Sequence, residues 1–264
     1  MPLPPIATPT LLSSLRTHPH LPSHTWYFIA GVTLSVLNRP EEIPTVFRYA
    51  LDTGAGAHPS PAPPPHAEQL VIARKLREAL VKAAPIGGLP KVTPPLLPLP
   101  AINALLSLSR HTPPQLSDPP LTPSPTLRST ELSSVPPSQI LHRGQRFFDR
   151  VYGKVSARVM GQMDRCGTED LGVTARLMYG YLLSNERVLS AVETSWVLMA
   201  GLVPQDVNPQ LKGHLKGAVN NGATVEEVHA VREVIIKICE QSGMRRLREE
   251  EPGGWGWRTD VAKL

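Results

Sequence analysis

An imidazole with a pKa near neutrality moves protons without extensive tuning, and a carboxylate beside it can orient the ring or act as the partner acid. The chain offers one such pair at short spacing. Glu193 lies on a strongly apolar helical stretch and His214 on the next. Across the turn marked by Pro204 and Pro209 the two could face one pocket, so Glu193 and His214 are the candidate catalytic residues. Each also has a plainer role open to it. An acid early in a helix is favoured by the helix dipole, and a histidine at 214 could be an ordinary surface or interface residue.

Other chemistry is poorly supplied. Cys166 and Cys239 are far apart and form no CxxC pair, and Cys239, on an apolar helix side, reads as a small buried hydrophobe. The pairs Arg77-Glu78 and Arg232-Glu233 could clamp a substrate carboxylate through arginine, but ion pairing within or between helices is the simpler role. His229 sits on a polar stripe beside Glu226 and Glu227 and reads as solvated. No His/Asp/Glu set has metal-ligand spacing on one face, and no phosphate-cradling glycine motif occurs. Neither a metal nor a cofactor is expected.

The elements that must position the pair alternate with proline. Of 264 residues, 30 are proline, roughly twice average usage, crowded into residues 2–22, 59–65, 85–100 and 113–137. Residues 1–24 read as an irregular lead. Helices are expected near residues 25–37, 41–51, 67–84 and 101–109, then at 144–163, 168–184, 186–202, 209–220 and 224–241. Residues 70, 71, 72, 76, 79, 80 and 83 form a wide stripe of helical period, stopped by Pro85 and the glycines at 87 and 88. Thr224 and Glu227 form a capping box. No segment alternates with period 2, so the fold class is all-α. The net charge of +5 comes without long Lys/Arg runs or interleaved aromatics, which argues against a nucleic-acid partner. No stretch is long and apolar enough to span a membrane.

The halves echo each other. Trp26-Tyr27-Phe28-Ile29-Ala30-Gly31 aligns with Trp196-Val197-Leu198-Met199-Ala200-Gly201, and Arg77-Glu78-Ala79-Leu80-Val81-Lys82 with Arg232-Glu233-Val234-Ile235-Ile236-Lys237. This predicts two related helical halves, 25–110 and 141–246, joined by a Pro/Ser/Thr-rich linker at 111–140 and followed by a flexible tail at 247–264. Proline-rich insertions interrupt the first half at 52–66 and 93–100. Each half has an apolar face too wide to bury alone, so packing the two together completes a core. Ser23 falls opposite Glu193 and Val46 opposite His214, which leaves the first half without a site. Generic amphipathic helices are the competing explanation.

In the second half, Glu193 opens the apolar helix, His214 follows on the next, and Asn221-Gly222-Ala223-Thr224-Val225-Glu226-Glu227 forms the turn into a helix ending near Gly243. This pattern resembles the carboxymuconolactone decarboxylase-like (alkylhydroperoxidase D-like) family. In the first half, residues 80–91 followed by Ile102-Asn103-Ala104-Leu105 resemble the end of the same domain. Residues 93–100 break that continuity, as a real loop or a retained intron. The resemblance implies an alkylhydroperoxidase D-like helical bundle, a homo-oligomer, and cofactor-free decarboxylation or isomerisation of a small carboxylate or lactone. The peroxidase branch carries CxxCxxxH. Counting back from His214, its cysteines would fall at Val207 and Gln210, so a thiol peroxidase cycle lacks its nucleophile.

Two other functions compete with such an enzyme: a relative whose antioxidant activity is lost or altered, and a non-enzymatic helical oligomerisation or binding module. The terminal Ala262-Lys263-Leu264 is a conservative variant of the Ser-Lys-Leu peroxisomal address. It predicts a peroxisomal protein read by the import receptor, with cytoplasm or mitochondrion as alternatives.

Overall fold

The structure, a computed structural model, describes residues 4–59, 62–88, 104–118, 128–248 and 254–264. The interruption expected at residues 93–100 lies outside them. Among the described residues the chain is all-α, with one short parallel pairing of Arg245–Arg246 and Gly256–Trp257 near its end.

The expected irregular lead contains a helix, α1 (Pro9–Arg16). Thr8 caps it by accepting from the Leu11 amide at 3.3 Å, and Pro9 occupies the first turn, where its missing N–H costs nothing. Leu11, Leu12 and Leu15 share its buried face. That helical spacing prevails over the surrounding prolines.

Two helices that are apolar all round form the centre. Every residue of α2 (Trp26–Val36) is buried. Around it run α3 (Ile43–Thr53) and α4 (His66–Gly87). The latter continues through Pro85, one turn past its expected stop. After α5 (Ala104–His111), the expected linker contains a short helix, α6 (Ser129–Ser134), whose Glu131 is buried. The next expected helix is two, α7 (Pro137–Tyr152) and α8 (Ser156–Met163), broken at Gly153, whose φ of +53° favours glycine. Then comes α9 (Asp170–Met178), closed by a wider π turn over Tyr179–Leu183.

The second central helix is α10 (Ala191–Leu202), buried except at Val192 and Glu193. It is followed by α11 (Asn208–Asn220) and α12 (Val225–Gln241). The halves interleave: α2 packs on α4 but also on α10 and α12, and α10 packs on α11 but also on α4. Trp26 and Trp196, the aligned tryptophans, are both buried at this junction. A Cβ at Gly201 would come within 2.9 Å of Ile86 Cγ2, so the lack of a side chain there lets α10 approach the end of α4 closely.

The tail corrects a second expectation. Rather than standing free, residues 254–264 are tied to the body. Trp257 is buried and its indole N–H donates to Val203 O at 2.8 Å. Asn208 accepts from the Ala262 amide at 2.7 Å, and Arg232 donates to the carbonyls of Val261 and Ala262 at 2.7 and 2.8 Å. Backbone hydrogen bonds made to named side chains hold this segment, and its glycine-rich composition hid them.

Candidate functional site

His214 is buried on α11, facing α7. Glycine makes that approach possible, since a Cβ at Gly217 would meet Val151 Cγ1 at 2.7 Å. The Tyr152 hydroxyl lies 3.4 Å from His214 Nε2, and the two rings meet edge-on with centroids 5.7 Å apart. The Tyr152 hydroxyl interacts in turn with that of Tyr179, and both rings pack on Phe148. Imidazole and two phenols thus form a chain against an apolar cluster that includes Phe147, Phe148, Val151 and Leu183. Tyr179 is placed by another close contact: a Cβ at Gly144 would sit 2.5 Å from the Gly180 backbone, so only glycine lets α7 lie against the π turn.

The electrostatics follow from burial. Desolvation pulls the His214 imidazole down to about 4, because a charge in an apolar setting loses its hydration. The ring is therefore neutral at ordinary pH and able to accept a proton. Burial raises both phenols, so both stay protonated and can donate.

Glu193 is elsewhere. Its carboxylate completes the Ser190 capping box, accepting from the Ser190 amide at 2.9 Å, and pairs with Lys75 of α4. The antiparallel α10–α11 hairpin is open where Asn221 donates to Ser195 Oγ at 2.9 Å. Glu193 lies at that open end, and His214 lies two turns towards the closed end. At 1.5 Å per residue they are separated along the axis by on the order of 10 Å. One faces α4 and the other α7, so the structure does not bring the expected pair into one pocket. The sequence signal for Glu193 was real, but it marked a helix start.

The two positions where the peroxidase branch has cysteines are a half-buried Val207 and an exposed Gln210. Cys239 is buried and its thiol is pushed up by desolvation, while Cys166 is exposed. No group of three or more metal-binding side chains is present among the described residues.

Sequence reasoning missed a second set of buried polar groups. Lys82 is fully buried and donates to Leu183 O at 3.1 Å, Asn185 O at 2.7 Å and Thr194 Oγ1 at 2.7 Å. Glu78, one turn earlier on α4, forms a two-pronged pair with Arg128. Glu131 pairs the same way with Arg143, whose hydrogen bonds hold that carboxyl below its usual range. Desolvation lowers the Lys82 ammonium to about 8, with Glu78 opposing. All three ammonium donor directions are used, so this network fixes α4 to the segment 183–185 and leaves nothing free for chemistry. The only forewarning was a Glu and a Lys four apart beside an apolar stripe.

Comparison with known proteins places the chain. Peroxisomal protein 2 of Schizosaccharomyces pombe is 34% identical over 226 residues, covering 85% of this chain and 89% of the relative. Peroxisomal protein 2 of Saccharomyces cerevisiae is 32% identical over 295 aligned residues, covering 96% and 97%. The chain belongs to this family. It is a peroxisomal protein, which decides between the compartments left open by the sequence. No protein-family model matches the chain, and no solved structure matches it.

Proposed function

We propose that this peroxisomal protein carries out cofactor-free acid/base chemistry, a decarboxylation or isomerisation, on a small carboxylate or lactone, within a carboxymuconolactone decarboxylase-like scaffold. The observation that supports this most is His214: buried, neutral, and joined to Tyr152 and Tyr179. In this proposal decarboxylation breaks the C–CO2 bond, CO2 leaves, and the electron pair left on carbon takes a proton delivered through the imidazole; in an isomerisation the imidazole takes a proton from one carbon and returns it at another as the double bond moves. The Tyr152 hydroxyl orients the ring and passes protons between it and Tyr179. Glu193 takes no part in the proton transfer; it caps α10 and pairs with Lys75.

The test is turnover of a panel of small carboxylates and lactones by wild type, His214→Ala and Tyr152→Phe. Removing a proton-transfer group costs about 10²–10⁴-fold, so His214→Ala is expected to lose activity by that factor and Tyr152→Phe by less. Equal turnover by wild type and His214→Ala would sink the proposal, as would no turnover of any member of the panel.

A second reading is a helical assembly module. It is favoured by Leu132 and by Val173 and Leu177, which lie one turn apart on α9, all about half-exposed. Burying such side chains against a second copy would build a homo-oligomer. Light scattering on Val173→Lys/Leu177→Lys tests it; an unchanged mass would count against that face. Recognition of Ala262-Lys263-Leu264 by the import receptor is part of the same proposal. A reporter carrying the last dozen residues should enter peroxisomes, and a diffuse signal would contradict it.

A further inference from the structure

One face of α7 points away from the His214 chain and carries a different chemistry. Gln139, His142, Arg143, Arg146 and Arg150 recur at helical spacing, and with residues 184–187 they line an open cavity of about 560 Å³. Four arginines line it, Arg143, Arg146, Arg150 and Arg187, against one acid, Glu186. Two of the four are already compensated: Arg143 by Glu131, and Arg150 by Glu186 at 3.6 Å. Among the described residues neither Arg146 nor Arg187 makes an ion pair or side-chain hydrogen bond, although Arg187 lies close enough to Glu131 to favour its charge. The cleft therefore keeps an excess of two positive charges.

Its back wall is held in place. Ser184 and Asn185 are buried, and Phe147 forms an apolar floor. Arg143 donates to Ser184 Oγ at 3.0 Å and to Gly180 O at 2.9 Å, while the fully buried Lys82 holds the carbonyls of Leu183 and Asn185. The loop that presents Arg187 is thus anchored on both sides before any ligand arrives. Guanidinium groups bind carboxylate and phosphate oxygens in pairs of parallel hydrogen bonds. A concave, anchored wall with two unspent forks fits a ligand with two negative charges.

We propose that this cleft binds a small dianionic oxyanion compound, a phosphate monoester or a dicarboxylate, through Arg146 and Arg187. The site is separate from His214 and does not depend on the acid/base function.

Calorimetric titration of the full chain at low salt with inorganic phosphate, succinate and acetate tests it. Phosphate or succinate should saturate one site at least about tenfold more tightly than acetate, one unpaired fork being worth about a factor of 10. Tighter phosphate assigns the site to phosphate esters, and tighter succinate to dicarboxylates. Arg146→Gln/Arg187→Gln should lose about tenfold or more. Arg158→Gln, exposed on α8, and His214→Ala should bind as wild type does. Absence of saturable binding by either dianion would overturn the proposal. So would an equal loss in Arg158→Gln, which would mean a non-specific charge effect, or a loss in His214→Ala, which would merge the two sites.

Discussion

The helices α4 and α12 carry the same residues at matching places and put them to opposite uses. In α4, Glu78 and Lys82 are sealed in the interior. In α12 their counterparts Glu233 and Lys237 are exposed, and among the described residues Glu233 pairs with His18 at 3.3 Å. What differs is the cover. Arg128 and residues 183–185 close over α4 and supply the partners for Glu78 and Lys82, whereas α12 meets solvent on that side. The arginines that precede them behave alike. Arg77 donates to Leu116 O at 2.9 Å, and Arg232 to Val261 O and Ala262 O, so each clamps the backbone of a later segment, Arg77 with a further ion pair to Asp118 at 2.7 Å. Val46 and His214 are a third pair, both buried, one inert and one able to accept a proton. A shared sequence pattern fixes where a side chain sits on its helix; the neighbouring segment decides whether its charge is stranded, satisfied or solvated.

The sharpest way to break this comparison is to remove the two lysines. Lys82→Ala leaves the buried carbonyls of Leu183 and Asn185 and Thr194 Oγ1 without their donor, while Glu78 keeps Arg128, and should cost roughly 3–5 kcal/mol, read from the denaturant midpoint. Lys237→Ala should stay within about 0.5 kcal/mol. Similar losses from both would mean that burial is not what separates the helices.

The next effect is the pH dependence set by His214. Its folded pKa of about 4 lies below the ordinary value of 6.5. The unfolded chain therefore takes up a proton first as pH falls, and stability present above 6.5 is lost down to about 4. The full shift corresponds to roughly 3 kcal/mol. His214→Leu should flatten that part of the stability profile, and a profile unchanged by the substitution would contradict the burial argument.

Smaller effects separate the clamps and the cap. Arg232→Ala should cost about 1–2 kcal/mol and speed hydrogen exchange at the amide of Ala262, which the clamp holds against Asn208. Glu193→Gln, which keeps a capping oxygen, should cost at most about 1 kcal/mol through the Lys75 pair while leaving turnover near wild type. A large loss of turnover without a loss of stability would restore Glu193 to the chemistry.

Much of the fold was legible. The apolar run at 194–202 and the capping box at Thr224 announced α10 and α12, and both aligned tryptophans lie in the core. The helix at Pro9–Arg16 was obscured because proline counts say where a helix can start as well as where it cannot continue. The order of the tail was not visible because it comes from residues distant in sequence: Asn208 and Arg232, and Asp206, which accepts from the Arg258 amide at 3.0 Å. At the site, His214 was visible as an isolated imidazole in an apolar helical region. Its partners were not, because Tyr152 and Tyr179 lie far upstream and reach it through the glycine contacts at 144 and 217. Glu193 was visible for a reason unrelated to catalysis. The arginines of α7 were each readable, yet the sequence did not show which of them would find an acid.

The most direct measurement is an NMR titration of the His214 ring nitrogens in the folded protein. The imidazole is expected to stay neutral until pH falls to about 4, with a perturbed midpoint in Tyr152→Phe. A midpoint near 6.5, unmoved by that substitution, would show a solvated histidine and contradict that expectation.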